Sequence, residues 1–372
     1  MTPQLVDRLG RLAFDAITVT GSAAGLTRDL SQIVRNDPSR AQKLALIGYE
    51  QRLPFGLARF AADIIQVLLT TSTDEADRAN HLNTLSARLS DAGDGAGALA
   101  AIREAVEIRR PLAQDNPARF APDLAMSLNN LSTFLSEAGE CAGALAAICE
   151  AMEIHRRLGQ DNPARFAPDL AMSLNNLSNR LSDAGDGARG LAAIGEAVDT
   201  YRRLAEENPA RFAPDLAMSL NNLSNRLSDA GDGVRALAAI GEAADTYRRL
   251  AQNNPAHFAP YFASSLNNLA GRLRDAGDGA GASAAIREAL EIRRRLSQDN
   301  PARFDPDLAL SLNNLSLYLS DAGDGAGALA AIREAVEIYR RLAQENPTRF
   351  ARDLERSVRV LEKLEKNQAA AK

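Results

Sequence analysis

The leucine spacing in residues 162–207 predicts two helices separated by a tight turn. Leucines recur at intervals of four, three and four from Leu170 to Leu181, which places them on one stripe of a helix. Pro168 suits the first turn of this helix, where a missing backbone N–H is no loss. The Ala-Gly-Asp-Gly run that starts at Ala184 supplies turn residues that end it. A second apolar stripe, from about Ala188 to Glu206, predicts a helix that returns antiparallel to the first.

This two-helix unit returns along most of the chain with a period of 46 residues. The sequence Ser-Leu-Asn-Asn-Leu-Ser, or a variant of it, begins at His81, Ser127, Ser173, Ser219, Ser265 and Ser311. A second marker, Asn-Pro-x-x-Phe, begins at Asn116, Asn162, Asn208, Asn254, Asn300 and Asn346. A fixed period of this length indicates an array whose hairpins stack to bury their apolar faces. The sequence thus divides into an N-terminal helical segment (1–73), six hairpins (74–346) and a C-terminal capping helix with a tail (347–372).

The unit resembles the tetratricopeptide repeat. Leu174, Leu177 and Leu181 match the large apolar positions of that family's first helix, and Ser178 matches its small position. Gly185 matches the glycine of the family's turn. The Leu-Asn-Asn-Leu-Ser run and the long second helix are most similar to the kinesin-light-chain type of this repeat. The resemblance implies an all-α fold, a right-handed α-solenoid of stacked antiparallel helix hairpins, and it names no particular partner.

The two ends of the chain depart from the repeat. Residues 1–73 predict helical pieces at Pro3–Val19, Ala24–Val34, Ser39–Arg52 and Phe55–Leu69. One interpretation is a cap over the first repeat, and the other is a docking or oligomerisation element. The contact surface of such an element would be Leu53, Phe55, Leu57, Phe60, Ile64, Ile65, Val67 and Leu68. A charged helix at about Arg352–Lys366 is predicted to close the other end.

Repeated asparagines provide the candidate binding surface. On a helical wheel they fall opposite the leucines, and the resemblance places that side of the first helix on a concave groove. An amide both donates and accepts hydrogen bonds, so it can pair with a peptide backbone of any sequence. The alternative is that the amides bond between repeats or face water. The predicted partner-binding residues, with Arg274 as a departure from the repeat that could give selectivity, are Asn129, Asn130, Asn175, Asn176, Asn179, Asn221, Asn222, Asn225, Asn267, Asn268, Arg274, Asn313 and Asn314.

An acidic line beside these asparagines has two interpretations. It favours a partner with arginine or lysine, or it is a solvated face near the turns. Its members are Asp91, Glu137, Asp183, Asp229, Asp275 and Asp321.

Composition narrows the classes of function. The net charge of −5 is spread along the chain, which disfavours a nucleic-acid or anionic-membrane partner. The most apolar segment, Ala61–Thr70, is too short to span a bilayer. Cys141 and Cys149 are separated along one helix by about 12 Å, too far for a disulfide, and free thiols suit the cytoplasm. We expect no metal or other cofactor, because the turn motif does not match a calcium loop.

We expect a non-catalytic scaffold that binds a protein or peptide in the asparagine-lined groove, since no arrangement of residues typical of an active site occurs. The three histidines lie in different repeats, without ligand or triad partners at recognisable spacing. One alternative is a sensor or regulatory subunit of a bacterial effector or signalling system. Another is a protein that assembles with itself through residues 1–73.

Overall fold

The chain forms two compact units, Met1–Ala193 (unit 1) and Ile194–Lys372 (unit 2). This computed structural model describes residues 31–32, 34–36, 41, 44 and 57–370. Every regular element among residues 58–370 is an α-helix, and no helix of the described residues is both long and apolar enough to cross a membrane. The helices are α1 (Ala58–Thr71), α2 (Glu75–Asp91), α3 (Gly95–Asp115), α4 (Pro117–Glu137), α5 (Cys141–Asp161), α6 (Pro163–Asp183), α7 (Gly187–Glu207), α8 (Pro209–Asp229), α9 (Gly233–Asn253), α10 (Pro255–Asp275), α11 (Gly279–Asp299), α12 (Pro301–Asp321), α13 (Gly325–Glu345) and α14 (Pro347–Ala370).

Each repeat is a hairpin of one A helix and one B helix. The A helices are α2, α4, α6, α8, α10 and α12, and the B helices are α3, α5, α7, α9, α11 and α13. Within each unit, successive helices pack against each other. The predicted fold class, an all-α solenoid of stacked antiparallel hairpins, is therefore confirmed. The helices predicted for residues 3–52 fall outside the described residues, apart from a few isolated positions.

The turn inside each hairpin follows from its glycine. Gly185 has a φ of +80°, which a residue with a Cβ adopts only with strain. Its N–H bonds to the carbonyl of Ser182, and the N–H of Asp186 reaches back to the carbonyl of Leu181. These two bonds form a Schellman motif that closes the A helix. The Asp186 carboxylate then accepts from the N–H of Arg189 and caps the B helix, so one residue ends one helix and starts the next.

The junction between repeats corrects one expectation. Pro168 was expected in the first turn of the A helix, but α6 already begins at Pro163. The Asn162 side chain accepts from the N–H of Arg165, while its backbone N–H bonds to the carbonyl of Leu158 in α5. Asn162 is thus the C-cap of one helix and the N-cap of the next. Pro168 lies inside the helix, because the Asn-Pro pair starts a helix as well as ending one.

Large aliphatic side chains and small residues share the core of each repeat. In unit 1, Ile148 and Leu174 are almost fully buried, and Ala151 on the same B helix is completely buried. In unit 2, Ile240 and Leu266 occupy the corresponding positions. An alanine next to each isoleucine lets the helices approach closely. The leucine stripe of the A helix and the apolar stripe of the B helix therefore face each other, as their spacing predicts.

The described terminal helices bury their apolar sides against the array. α1 packs on α2, and its Phe60, Ile64 and Ile65 are completely buried. Side chains predicted as a docking surface are thus already covered, whereas Leu53 and Phe55 lie outside the described residues. α14 starts at Pro347, five residues before the predicted start, because Asn346 caps it.

Candidate functional site

The first asparagine of each pair lies between neighbouring A helices. Asn129 of α4 is 2 % exposed, and its Nδ2 donates to Ser173 Oγ of α6 at 2.9 Å. In unit 2, Asn221 makes the same contact with Ser265 Oγ at 2.8 Å. The wheel-based expectation that these amides lie on the open side is wrong for Asn129 and Asn175, which are both buried. The wheel omits the next A helix, which packs on this flank of the first.

The second asparagine continues the same network, at a less buried position than the first in α4 and α6. Asn176 Nδ2 donates to Asn129 Oδ1 at 3.2 Å in unit 1. In unit 2, Asn314 Nδ2 donates to Asn267 Oδ1 at 3.0 Å. Every second asparagine from α4 to α12 is half-buried, and Asn130, Asn176, Asn268 and Asn314 each combine a bond to the preceding repeat with access to solvent. Bonding between repeats, the alternative interpretation of the sequence, is therefore present, and partner binding stays a prediction.

The remaining predicted site residues lie toward the turn. Asn179 and Asn225 are half-buried, and Asn225 Oδ1 accepts from Arg272 of the next A helix at 3.3 Å. Arg274 is exposed, with its guanidinium 5.3 Å from the centre of the Tyr318 ring and 3.4 Å from Asp275 Oδ1. Asn225 and Arg274 are therefore already in contact with other side chains of the array.

A partly exposed stripe runs along the five A helices from α4 to α12, beside the asparagines. The stripe is defined by four positions on each helix, of which the second is the second asparagine. Its members are Met126, Asn130, Thr133 and Glu137 in α4, Met172, Asn176, Asn179 and Asp183 in α6, Met218, Asn222, Asn225 and Asp229 in α8, Ser264, Asn268, Gly271 and Asp275 in α10, and Leu310, Asn314, Leu317 and Asp321 in α12. Met126, Met218, Leu310 and Leu317 are each about 40 % exposed.

Leu317 was expected from the sequence to be a variable groove position, but Met126, Met218 and Leu310 were missed. Methionine recurs at the first stripe position in α4, α6 and α8, and Leu310 occupies it in α12. The sequence contained a signal for them, because a large apolar residue recurs on the polar side of an amphipathic helix. The stripe thus combines polar amides with apolar contact area.

Arginines of the same helices offset much of the predicted acidic line. Asp183 pairs with Arg180 at 3.3 Å, and Asp275 pairs with Arg272 at the same distance. In α4 and α12 an aromatic residue replaces that arginine, at Phe134 and Tyr318. The line is consequently a mixed-charge surface rather than a continuous acidic one.

A buried polar side chain varies from one B helix to the next. His155 of α5 is 1 % exposed, and its Nδ1 lies 2.8 Å from Ser173 Oγ. Burial lowers the pKa of His155, and the nearby Asp169 carboxylate opposes that shift. At the same position, Arg109 donates to the carbonyl of Asp123 and Tyr247 donates to that of Pro214. This position therefore joins a B helix to the following A helix.

Shallow clefts lie between successive B helices. One in unit 1, of about 370 Å³, has the Arg110–Glu150 ion pair at 2.6 Å on its rim. One in unit 2, of about 560 Å³, has the Arg202–Glu242 pair at 2.7 Å. These charged rim residues already have partners in the chain, and the pairs link one repeat to the next.

Comparison with known proteins identifies the repeat. A family model described as tetratricopeptide repeat matches residues 78–115, 124–164, 170–210, 216–258, 262–302 and 308–348. The predicted array of six repeats at a 46-residue period is therefore confirmed. A search of curated proteins found no significant relative.

Solved structures share the fold at low sequence identity. BtubC (BKLC) from P. vanneervenii has a TM-score of 0.53 at 23% identity, over 67% of this chain and 91% of its own. Aspartyl phosphate phosphatase F from Bacillus subtilis has a TM-score of 0.56 at 13% identity, over 84% and 75%. A signal transduction ATPase (STAND) with a tetratricopeptide repeat sensor, from Pyrococcus horikoshii, has a TM-score of 0.54 at 14% identity, over 97% of this chain and 50% of its own. At these identities the similarity concerns the fold.

Proposed function

Since the chain belongs to the tetratricopeptide repeat family, we propose that it is a non-catalytic scaffold that binds a peptide or partner domain along the exposed stripe. The observation that supports this most directly is the alignment of exposed apolar and amide side chains at equivalent positions. In unit 2, Leu310, Asn314 and Leu317 follow one another along α12 at helical spacing. Apolar side chains contribute contact area, and amides pair with a peptide backbone.

The two asparagines of each pair have different roles in this proposal. The first holds neighbouring A helices together, as Asn221 does through Ser265. The second is a member of the stripe and is half-buried in every helix from α4 to α12, so it is the amide that a partner reaches. Of the asparagines predicted from the sequence, the first of each pair thus stabilises the array, and the second of each pair contacts the partner. Arg274, exposed next to Tyr318, adds selectivity on α10.

A charge placed on the stripe tests the proposal. In a Leu310→Glu/Leu317→Glu variant, two side chains about 40 % exposed become carboxylates, so an apolar partner contact is lost without opening a core. The matched control is Val234→Glu, because Val234 is 84 % exposed on α9 and lies outside the stripe. Tagged wild type and both variants are compared by quantitative mass spectrometry of captured native proteins.

We expect a stoichiometric partner with wild type and Val234→Glu that is lost with the stripe variant. Equal capture by a folded stripe variant would show that the partner binds elsewhere. Circular dichroism at 222 nm verifies that all three proteins retain the same helix content.

A sensor or regulatory role is a second candidate. It is favoured by the similarity to the STAND protein, whose tetratricopeptide repeats are described as a sensor and which matches 97% of this chain. In this role the same stripe binds a partner that carries the effector activity. Co-purification of an ATPase or protease with wild type, and its loss with the stripe variant, is the expected result.

Self-assembly through residues 1–73 is a third candidate that the sequence raised. Most of that segment lies outside the described residues, and the described part, α1, has its large apolar side chains buried. Light scattering of the whole chain and of a 74–372 variant measures whether this segment holds copies together.

A further inference from the structure

Five helices of the array place an arginine over the phenylalanine that follows it. The guanidinium carbon lies 4.7 to 5.0 Å from the ring centre in each case. The pairs are Arg119–Phe120, Arg165–Phe166, Arg211–Phe212, Arg303–Phe304 and Arg349–Phe350. In α10 the arginine is replaced by His257, whose ring centre lies 4.2 Å from that of Phe258. Phe258 therefore lacks the cation that its counterparts receive from their own helix.

The same turn of α10 carries a second departure. Tyr261 stands where the other A helices from α2 to α12 carry aspartate, and it is 47 % exposed. Its ring stacks on Tyr247 with centres 5.7 Å apart and is close to perpendicular to His257, at 77°. Tyr247 is buried, and its hydroxyl donates to the carbonyl of Pro214 at 3.2 Å. The buried Tyr247 ring thus packs against one face of Tyr261, and His257 packs near it edge-on. The rest of the Tyr261 ring is exposed to solvent.

A carboxylate of the neighbouring A helix, Asp215 of α8, lies near the same Tyr247. The Tyr247 hydroxyl donates to the carbonyl of Pro214, the residue before Asp215, while the Tyr247 ring stacks on that of Tyr261. Both groups act electrostatically on Tyr247, whose phenol pKa is raised first by burial and then by Tyr261 and Asp215. Burial also raises the pKa of Asp215, while Arg211 lowers it. A partly desolvated carboxylate gains from a nearby cation.

We propose that Phe258, Tyr261 and Asp215 form a site for the guanidinium group of an arginine from a protein partner. This inference rests on the proposed function, and it names one side chain that the partner contributes. A planar guanidinium stacks on an aromatic face and gives paired hydrogen bonds to a carboxylate, which a lysine ammonium does not. The partner's arginine supplies the cation that α10 lacks, on the exposed side of Tyr261.

Selective ¹³C labelling of tyrosine in the whole chain allows this site to be tested without the partner. The probe is N-acetyl-arginine amide, and N-acetyl-citrulline amide is the uncharged control of the same shape. The Tyr261 resonance is assigned by its disappearance in Tyr261→Phe. We expect it to shift saturably with the arginine probe and not with citrulline. In Tyr261→Ala, which lacks this resonance, the Tyr247 resonance is followed instead, and we expect binding to be weakened roughly 2- to 30-fold.

His257→Arg is the decisive variant, because it restores the residue that five other helices carry and should fold normally. Its own arginine fills the position, so we expect the response to the probe to be lost. Asp215→Asn should weaken binding, whereas Asp169→Asn, at the equivalent position of α6, should leave it unchanged. No saturable shift, an equal shift with citrulline, or an undiminished response in His257→Arg would each overturn the site. These results do not depend on partner capture, so the scaffold function and the arginine site can fail separately.

Discussion

Replacement of two adjacent asparagines separates a structural amide from a contacting one. Asn129→Ala removes three hydrogen bonds: to the carbonyl of Ala125 at 3.1 Å, to Ser173 Oγ at 2.9 Å, and from Asn176 Nδ2 at 3.2 Å. Asn130→Ala removes one, to Asn83 Oδ1 at 3.2 Å. Asn129 is buried and Asn130 is half-buried, so only the first loses its partners in a place that water does not reach.

The difference in free energy of unfolding follows from these counts. A net hydrogen bond contributes about 0.5–1.5 kcal/mol, so the three bonds of Asn129 are worth about 3 kcal/mol together. Alanine has the higher helix propensity and returns roughly 0.6 kcal/mol in either variant. Asn129→Ala should therefore lose about 2–3 kcal/mol, and Asn130→Ala should stay within about 0.5 kcal/mol of wild type.

Urea unfolding followed by circular dichroism at 222 nm measures both variants. Repeat arrays do not always unfold in one step, so amide hydrogen exchange in α4 and α6 is recorded as well. Asn129→Ala should unfold at lower urea and exchange faster in both helices. An unchanged Asn129→Ala, or a larger loss in Asn130→Ala, would refute the assignment of the first asparagine as the link between A helices.

Two further predictions concern a buried base and a turn. Burial lowers the pKa of His155 in the folded protein. As pH falls, the unfolded chain therefore takes up a proton at this residue before the folded chain does. The stability that comes from the neutral ring is thus present above about pH 6.5 and is lost as pH falls below that value. The melting temperature of wild type should consequently fall more between pH 7.5 and pH 5.5 than that of His155→Tyr, which carries the tyrosine found in α7 and α9; equal falls would exclude this histidine as the cause. Gly185→Ala should cost about 1–2 kcal/mol because φ is +80°, whereas Gly187→Ala, at the first position of a helix with open space around its Cβ, should be neutral or stabilising. Urea midpoints measure this pair, and equal midpoints would contradict the strain argument.

Short-range spacing was sufficient to predict the repeat and its hairpin. The leucine intervals and the Ala-Gly-Asp-Gly turn gave α6 and α7 with errors of a few residues, since both depend on contacts near in sequence. The early start of each A helix was missed, because Asn-Pro was interpreted only as a helix end. Asn162 shows that a single side chain and its backbone perform both functions.

Contacts between repeats could not be derived from one helix. Asn129 bonds to a serine 44 residues further on, and Asn176 bonds back across 47 residues. A helical wheel contains neither neighbour, so it assigned both asparagines of a pair to the open side. The exposed methionines were visible in the sequence, but only the packing of the next A helix shows which polar positions remain accessible. The surroundings of Tyr261 could not be derived from its own helix either, because the ring it stacks on, Tyr247, belongs to another helix.

The one-residue junction at Asn162 has a consequence for how such a gene can change. Each junction from α3 to α14 uses an asparagine followed by a proline, and the same asparagine–serine pair links A helices at Asn129–Ser173, Asn221–Ser265 and Asn313–Ser357. A duplication or deletion of 46 codons by unequal crossing-over therefore joins chemically identical ends, and the new neighbour finds its serine and asparagine in place. An insertion of any other length separates a cap from its helix and shifts the asparagines off their partners. The length of this protein can thus change during evolution in whole repeats, while partner preference changes at single positions such as Tyr261.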